Sequence, residues 1–476
     1  MRPRVCLRKL CHWLWRRVRA PHAGSEVLVV LCCTLCSARV QFFAYFAVKI
    51  FRLPAVAAVL CFACFIRYSI WMKTEKVTPQ NLETENLKIT VCFTGGGTGG
   101  HIYPGLAVAS FLRQRFAQAS ERLEIAENAE LRIVWLGNSS GMDKTLVEKS
   151  GIADVFVGIP SGKLRRYFSF ATVADIFKIF AGFIAAFFAL AKYKPAVLFS
   201  KGGYVSVPPC FAARFLHIPV FTHECDFSPG LATRLNAKTA EKICVSYAQS
   251  AAFFSSSLQK KIIVTGNPVR QEFYSLQNKK TADAKPNKPL LLVIGGSLGA
   301  MQINELVAKN LDWLCERFRI VHQTGNNFDI AHYVDDAQNL AKKYPDYRAE
   351  SFIYSGMSEL IASSDIVLSR AGANSIWECA ALAKPLVLIP LAGSGTRGDQ
   401  IENAHFFEKA GCALVIDGTS ATADALKAAL TKMLGDNAED GQKLRLTFSE
   451  NMRVLCAGKI PAADIAQIIF DRIFVR

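Results

Sequence analysis

A glycine-rich turn at residues 95–101 separates an apolar strand-like run, 89–93, from a helix-like segment that begins at Pro104. Successive glycines let the backbone approach a ligand closely, and the free N–H groups of a first helical turn favour a negative charge. A strand, a tight turn and a helix in this order are typical of an α/β sheet. The turn therefore predicts an anion site for a phosphorylated or nucleotide-type ligand.

Strand-like and helix-like segments alternate along the body of this 476-residue chain, which predicts parallel sheets flanked by helices. The strand-like runs form two sets: 89–93, 131–136, 155–158, 196–200, 219–223, 243–245 and 262–265, then 290–294, 319–323, 366–369, 386–390 and 413–416. We predict two doubly wound parallel-sheet domains, 88–275 and 289–455, that face each other across a cleft. An Asn-, Lys-, Ala- and Pro-rich linker at 276–288 joins them, and a C-terminal helix at 456–476 is expected to return to the first domain.

Residues 1–87 are predicted to form a basic and apolar extension. The first 71 residues hold eleven Lys and Arg against the single acid Glu26, and seven of the fifteen cysteines. Their longest uncharged runs are shorter than the ~18 residues of a spanning helix. Three interpretations stay open: a membrane anchor or re-entrant hairpin, a basic membrane-surface segment, or a start assigned upstream of a true start at Met72. The cysteines have neither metal-ligand nor disulfide spacing, which favours a reducing compartment.

A second glycine motif, at 294–300, follows a strand-like run and leads into a helix-like run at 304–314. Its backbone amides and the Ser297 hydroxyl are suited to a diphosphate. Neither motif has the Gly-x-Gly-x-x-Gly form with a ribose-binding acid, nor the ending of a P-loop, which argues against dehydrogenases and ATPases. Because no Asp-x-Asp pair occurs in the chain, we predict a metal-independent mechanism and no cofactor.

Seven motifs in this chain resemble, in the same order, those of the MurG family of N-acetylglucosaminyltransferases. They lie at 96–107, 202–206, 223–224, 266–270, 295–300, 322–325 and 370–373. The resemblance implies a GT-B type enzyme with UDP-N-acetylglucosamine as donor and undecaprenyl-diphosphoryl-N-acetylmuramoyl-pentapeptide, lipid I, as acceptor. It implies a β-1,4 bond formed with inversion, lipid II as product, and a role in peptidoglycan synthesis, cell shape and division beside other cell-wall proteins. No nucleic-acid partner is expected.

Inversion requires a base near the acceptor hydroxyl and positive charge near the leaving diphosphate. His101 is the expected base, because it lies beside the glycine turn and a histidine titrates near neutral pH. Glu224 is the alternative base. In a third interpretation, His101 orients sugar hydroxyls without accepting a proton.

The resemblance further implies substrate contacts in both domains. On the acceptor side these are Thr98, Gly99, Gly100 and Asp226. On the donor side they are Arg270 and Ser297 at the phosphates, the Ile353 backbone at the uracil, Ala373 and Asn374 at a helix start, Glu378 at the ribose hydroxyls, and Asp399 and Gln400 at the transferred sugar. The chain departs from the family pattern at Cys225 and Asp226, where Gln and Asn are common, and at Leu298, where Gln is common. An ionised Asp226 accepts hydrogen bonds but does not donate them, unlike an amide.

A polyprenyl acceptor implies a peripheral protein at the cytoplasmic face of the bacterial inner membrane. Lys163, Arg165 and Arg166 precede an apolar run at 179–191 that is closed by Lys192. Basic residues beside an apolar helix favour contact with an anionic membrane surface. A buried core helix explains the same apolar run.

Other functions stay in view. A UDP-N-acetylglucosamine 2-epimerase shares the architecture and the donor but needs no lipid acceptor, and another UDP-sugar lipid glycosyltransferase would take a different acceptor. A non-catalytic scaffold would tolerate loss of residue types such as His101 and Glu378. Transfer of labelled sugar to a lipid I analogue, compared with release of free sugar or of the 2-epimer, separates these functions.

Overall fold

The structure is a computed structural model that describes a large part of the chain. The described residues are 88–126, 128–163, 170–277, 288–296, 299–333, 339–353, 356–393, 398–435 and 437–474. The predicted N-terminal extension, most of the predicted linker, and Ser297 with Leu298 lie outside these ranges.

Seven parallel strands form the first sheet, in the order β3-β2-β1-β4-β5-β6-β7. They are β1 (Lys88–Thr94), β2 (Glu130–Asn138), β3 (Val155–Ile159), β4 (Val197–Ser200), β5 (Val220–Glu224), β6 (Lys242–Val245) and β7 (Ile262–Val264). The helices of this part are α1 (Gly99–Glu121), α2 (Asp143–Ser150), α3 (Phe170–Tyr193), α4 (Val207–Phe215), α5 (Leu231–Ala237) and α6 (Ser256–Gln259), and α7 (Gln271–Leu276) follows them in the chain but packs against helices of the second domain. The central strands are buried over nearly their whole length, as expected for a parallel sheet covered by helices on both faces.

Six parallel strands form the second sheet, in the order β10-β9-β8-β11-β12-β13. They are β8 (Leu290–Ile294), β9 (Arg319–Gln323), β10 (Tyr347–Glu350), β11 (Ile366–Ser369), β12 (Leu386–Leu388) and β13 (Ala413–Val415). Its helices are α8 (Met301–Lys309), α9 (Leu311–Arg317), α10 (Leu340–Lys343), α11 (Met357–Ser363), α12 (Ala373–Ala381), α13 (Asp399–Lys409), α14 (Ala423–Leu434) and α15 (Ala438–Cys456). Both sheets reverse their strand order beside the first strand, so the predicted class of two doubly wound α/β domains is confirmed.

The last helix, α16 (Pro461–Phe474), packs against α1 of the first domain rather than on the second sheet. The Phe116 and Phe470 rings lie 6.5 Å apart, and Arg115 Nε donates to Gln467 Oε1 at 2.8 Å. The chain therefore crosses twice between the domains, once between β7 and α7, whose Phe273 is buried with Leu292 and Trp377 of the second domain, and once between α15 and α16.

Two predicted helices differ from the observed ones. Helix α1 begins at Gly99, not at Pro104, and it tolerates the missing Pro104 N–H because the Gly100 carbonyl accepts from Asn374 Nδ2 at 2.9 Å instead. The run at 304–314 forms two helices, α8 and α9, with a break at Asn310. The Asn310 side chain donates to the Leu306 carbonyl at 3.0 Å and so partners a backbone group at the break.

Helix α3 has one face in the core and one face exposed. Ala186, Phe187 and Leu190 are buried, whereas 72% of Phe177 and 48% of Phe180 is exposed. Within the part of the chain that the structure describes, one helical stretch, Asp175–Tyr193, is long and apolar enough to cross a membrane by length and composition.

Candidate active site

A cavity of about 650 Å³ lies between the two domains, where the carboxyl ends of both sheets face each other. Nine of the residues expected at the site line it: Gly99, Gly100, His101, Asp226, Arg270, Ile353, Ala373, Asn374 and Glu378. The cavity therefore brings together groups from both predicted halves of the site.

His101 is the third residue of α1 and faces the cavity from the first domain. Its ring packs against the loop after β4, since a Cβ placed on Gly203 would lie 2.8 Å from His101 Cδ2. The backbone N–H of His101 donates to Thr98 O at 3.1 Å. Thr98 itself is exposed and does not line the cavity. The glycine turn thus holds the His101 backbone, and the loop after β4 packs against its ring.

Glu224 ends β5 and is buried, and it does not line the cavity. Its Oε1 accepts from the backbone N–H groups of Cys225 (2.9 Å) and Asp226 (3.1 Å), and its Oε2 accepts from Gly230 N at 3.0 Å. Both carboxylate oxygens therefore hold the loop that leads into α5. This geometry favours His101 over Glu224 as the base.

Asp226 contacts the second domain directly. Its Oδ1 accepts from Asn403 Nδ2 at 3.1 Å, and Asn403 Oδ1 accepts from the Phe227 N–H at 2.9 Å. Asn403 is buried on α13. The Asp226 carboxylate therefore accepts a hydrogen bond from the second domain and also faces the cavity.

Arg270 lies at the centre of a charged group that faces the cavity. Its guanidinium is 2.9 Å from Glu272 Oε1 and 3.7 Å from Glu378 Oε1, and it lies over the Tyr103 ring at 5.3 Å. Burial raises the pKa of Glu378 to about 7, with Arg270 opposing this shift and Glu272 adding to it. About one fifth of the Glu378 side chain is exposed. Glu378 is therefore a carboxyl group that changes its charge near neutral pH.

The second domain presents backbone groups beside these charges. The Ile353 N–H donates to Gln323 Oε1 at 3.2 Å, and Gln323 Nε2 donates to Gly296 O at 2.9 Å. Ala373 begins α12, whose free N–H groups face the cavity and favour an anion. Gln323 thus connects the second glycine motif to the segment expected at the uracil.

Asn374 connects the two sides of the cleft. Its Nδ2 donates to Gly100 O at 2.9 Å, and its Oδ1 accepts from Asn267 Nδ2 at 2.9 Å. The start of α12 in the second domain is therefore held against the glycine turn of the first.

Asp399 and Gln400 begin α13 and do not line the cavity. Gln400 Oε1 accepts from the Leu391 N–H at 3.0 Å and so closes the base of the loop that precedes α13. Residues 394–397 of that loop lie outside the described ranges, as does Ser297. The roles expected for these three residues stay predictions.

Several cavity residues were not predicted as site residues: Tyr103, Glu272, Gln323, Phe352, Ser358 and Glu359. Tyr103 and Gln323 lie inside two of the seven family motifs, at 96–107 and 322–325, so the sequence could have indicated both as site residues. Glu272 and Phe352 are neighbours of predicted residues in the chain. For Ser358 and Glu359, at the start of α11, the sequence carries no comparable signal.

The class of this protein is that of two-domain glycosyltransferases, because both of its domains match family models of that class and enclose a cleft with a histidine on one wall and an arginine and a carboxyl on the other. Residues 91–245 match the glycosyltransferase family 28 N-terminal domain, and residues 290–453 match the glycosyltransferase family 28 C-terminal domain.

The chain belongs to the MurG family. It is 46% identical over 393 residues, 80% of this chain and 96% of the relative, to the UDP-N-acetylglucosamine--N-acetylmuramyl-(pentapeptide) pyrophosphoryl-undecaprenol N-acetylglucosamine transferase of Treponema denticola. A protein of the same name from Lachnospira eligens is 38% identical over 73% of this chain and 91% of its own length. The family predicted from the motifs is thereby confirmed.

Solved structures agree with the fold. MurG of Acinetobacter baumannii superposes with a TM-score of 0.58 at 25% identity, covering 80% of this chain and 99% of that one. UDP-GlcNAc 2-epimerase from Neisseria meningitidis gives a TM-score of 0.55 at 15% identity, covering 82% and 100%. The second likeness concerns the fold alone.

Proposed function

We propose that this chain transfers N-acetylglucosamine from UDP-N-acetylglucosamine to the 4-hydroxyl of N-acetylmuramic acid in lipid I, giving lipid II for peptidoglycan synthesis. The observation that carries the proposal is the 46% identity to a transferase of that name along nearly its whole length. The cleft adds chemical support, because it combines a histidine with cationic and helix-start groups for a diphosphate.

The proposed mechanism is a single displacement with inversion. His101 accepts the proton of the acceptor hydroxyl as its oxygen forms a bond to the anomeric carbon of the donor. The bond between that carbon and the UDP oxygen breaks, and its electron pair stays on the β-phosphate. Arg270 and the N-terminus of α12 stabilise the negative charge that develops there.

Labelled transfer tests the proposal against the alternatives. We expect label from UDP-N-acetylglucosamine to appear on a lipid I analogue. Release of free sugar or formation of the 2-epimer without transfer would contradict the assignment, and transfer to diacylglycerol alone would indicate another lipid glycosyltransferase. The 2-epimerase is weakly supported, because its similarity to this chain is one of fold at 15% identity.

The pKa of Glu378 predicts how donor binding depends on pH. A carboxylate accepts hydrogen bonds from both ribose hydroxyls, whereas the protonated acid loses acceptor capacity. Because burial raises this pKa to about 7, the Kd for UDP-N-acetylglucosamine, whose diphosphate keeps a constant charge in this range, should fall by about 5–10-fold between pH 6 and pH 8. Calorimetric titration at several pH values measures the change. Glu378→Gln should bind UDP-N-acetylglucosamine equally at all of them, and a pH slope equal to that of the natural protein in this variant would remove Glu378 from ribose binding.

The same pKa has a consequence for folding, with the opposite sign. Between the ordinary pKa of 4.5 and the folded pKa of about 7, the unfolded state is ionised while the folded state keeps the proton. The Glu378 contribution to the free energy of unfolding therefore decreases as pH rises through this window. Relative to Glu378→Gln, the natural protein should lose thermal stability from pH 5 to pH 7.

We also propose that the exposed face of α3 and α4 docks on the membrane that carries the acceptor. Ile176, Phe177, Phe180 and Phe188 of α3 and Phe211 and Phe215 of α4 are exposed, large and apolar. Lys178 and Lys192 lie on the same helix and provide positive charge for anionic lipids. A peripheral position at the cytoplasmic face of the inner membrane and contacts with cell-wall synthesis and division proteins are part of this proposal.

Replacing Phe177 and Phe180 with aspartate should lower vesicle binding by at least about 10-fold, since burial of one phenylalanine contributes about 1.5–3 kcal/mol. Sedimentation with vesicles of phosphatidylglycerol and phosphatidylethanolamine measures it. Leu446→Asp, at an exposed apolar residue of α15, is the matched control. If a chain beginning at Met72 no longer binds vesicles while the aspartate variant of the full chain still does, binding belongs to residues 1–71.

A further inference from the structure

The carboxylate of Asp143 lies directly under the glycine turn. Asp143 is the first residue of α2 and is only 1% exposed. Its Oδ1 and Oδ2 accept from the Gly97 N–H at 2.9 and 3.2 Å, and Oδ2 also accepts from the Asn138 N–H at 2.9 Å. The carboxylate thus ties the turn after β1 to the loop after β2.

The turn is shaped to fit this carboxylate. A Cβ placed on Gly96 would lie 1.8 Å from Asp143 Oδ2, so the backbone passes over the carboxylate with no room for a side chain. Gly97 has a φ of +84°, which glycine adopts without strain. A glycine-rich turn before a helix is an anion-binding structure, and here the Gly97 amide binds an anion of the protein itself.

Tyr204 attaches a third loop to the same point. A Cβ placed on Gly97 would lie 2.5 Å from Tyr204 Cε1, so the tyrosine ring packs on the turn. Asn138 Nδ2 donates to Tyr204 Oη at 3.4 Å. The neighbouring Gly203 contacts the His101 ring, as described above. Movement of the turn at Gly97 would therefore be transmitted to His101 from both sides.

Asp143 does not line the cavity, so it acts on the reaction only through its neighbours. We propose that Asp143 is a positioning residue for glycosyl transfer: its carboxylate holds the turn at 95–100 and thereby places His101 against the acceptor hydroxyl. This inference rests on the proposed function, in which His101 accepts the proton. Its consequence is a role in turnover and none in donor binding.

Asp143→Asn tests the inference with little change in volume. The amide presents an NH₂ group where both carboxylate oxygens now face backbone N–H donors, so the turn loses at least one of its contacts. We expect kcat for transfer to lipid I to fall by about 100-fold, as a misplacement of about 1 Å does, with Kd for UDP within twofold of the natural protein. Unchanged kcat would overturn the inference, and so would an equal loss of UDP binding.

Asp154→Asn is the matched control. Asp154 also accepts a backbone hydrogen bond, from the Ile133 N–H at 2.6 Å, and lies in the same domain without lining the cavity. We expect its kcat to match that of the natural protein. A comparable loss in both variants would mean that any lost carboxylate in this domain slows turnover, which would overturn a specific role for Asp143.

A double-mutant cycle with His101→Ala tests the route of the effect. If Asp143 acts through His101, Asp143→Asn should lower kcat by less than about threefold in the His101→Ala background. Fully additive losses would overturn the inference. Should Asp143→Asn fail to fold, Gly96→Ala displaces the carboxylate from the other side of the same contact, and the same non-additivity is expected.

Hydrogen exchange separates failure of this inference from failure of the proposed function. Faster exchange of the peptide spanning 94–104 is expected in Asp143→Asn and not in Asp154→Asn, whatever the reaction catalysed. Exchange equal to that of the natural protein would contradict the proposal that the Asp143 carboxylate holds the turn. Absence of transfer by the natural protein would instead contradict the proposed function.

Discussion

Replacing His101 with alanine should lower kcat for transfer to lipid I by about 10²–10⁴-fold, the range over which a positioned base contributes to catalysis. Kd for UDP-N-acetylglucosamine should stay within about twofold, because the donor phosphates and ribose are assigned to the second domain. Steady-state transfer and calorimetric titration measure the two quantities separately. Unchanged turnover would remove His101 from the mechanism.

His101→Gln distinguishes a base from a residue that only orients the sugar. Glutamine keeps a hydrogen-bonding side chain of similar reach but accepts no proton near neutral pH. Turnover as low as that of the alanine variant would support proton transfer, whereas recovery toward the natural kcat would indicate orientation alone. His332→Ala is the control, since His332 is exposed and does not line the cavity.

Replacing Arg270 with alanine should raise Kd for UDP-N-acetylglucosamine by about 30–150-fold. A charge-assisted contact with a diphosphate contributes about 2–3 kcal/mol, and no other arginine or lysine lines the described part of the cavity. Arg270 also opposes the rise in the pKa of Glu378, so the pH midpoint of donor binding should move upward in the same variant. Titration with UDP-N-acetylglucosamine across pH 6–9 measures both effects.

Two further variants test the assignment of Arg270 to the diphosphate. Glu272→Gln removes an anion that competes for the guanidinium at 2.9 Å, so donor binding should strengthen and its pH midpoint should move downward. Arg472→Ala removes an arginine from an exposed pair with Glu241 at 2.8 Å and should leave Kd unchanged. Equal donor affinity in Arg270→Ala and Arg472→Ala would contradict the assignment of Arg270 to the diphosphate.

The fold was predictable because the strands of a parallel sheet are buried on both faces and therefore occur as short apolar runs in the sequence. The prediction missed β10, Tyr347–Glu350, for a physical reason: it is an edge strand, and Arg348 and Ala349 in it are exposed. A strand with one neighbour and a solvated side needs no apolar run. The start of α1 was missed because Pro104 and the preceding glycines suggested a turn where the helix had already begun.

The site was predictable where function rests on residues within motifs, as at His101, Arg270 and Glu378. Contacts between distant segments were not. Asp143 lies 46 residues from Gly97 in the chain and stands in no motif, so only the folded structure reveals its hold on the turn. The pKa of Glu378 likewise depends on burial and on two neighbours, which a sequence does not specify.

Pro104 lies inside α1 and leaves one carbonyl of this helix free for a hydrogen bond across the cleft. A residue at this position would normally donate its N–H to the carbonyl four residues earlier, which belongs to Gly100, but proline has no N–H. The Gly100 carbonyl instead accepts a hydrogen bond from Asn374 Nδ2 of the other domain, at 2.9 Å. The hydrogen bond that α1 lacks at Pro104 thus leaves a free acceptor, which binds the start of α12. Separation of the two domains would break this hydrogen bond, so the helix start that carries His101 is directly coupled to the position of α12 on the donor side.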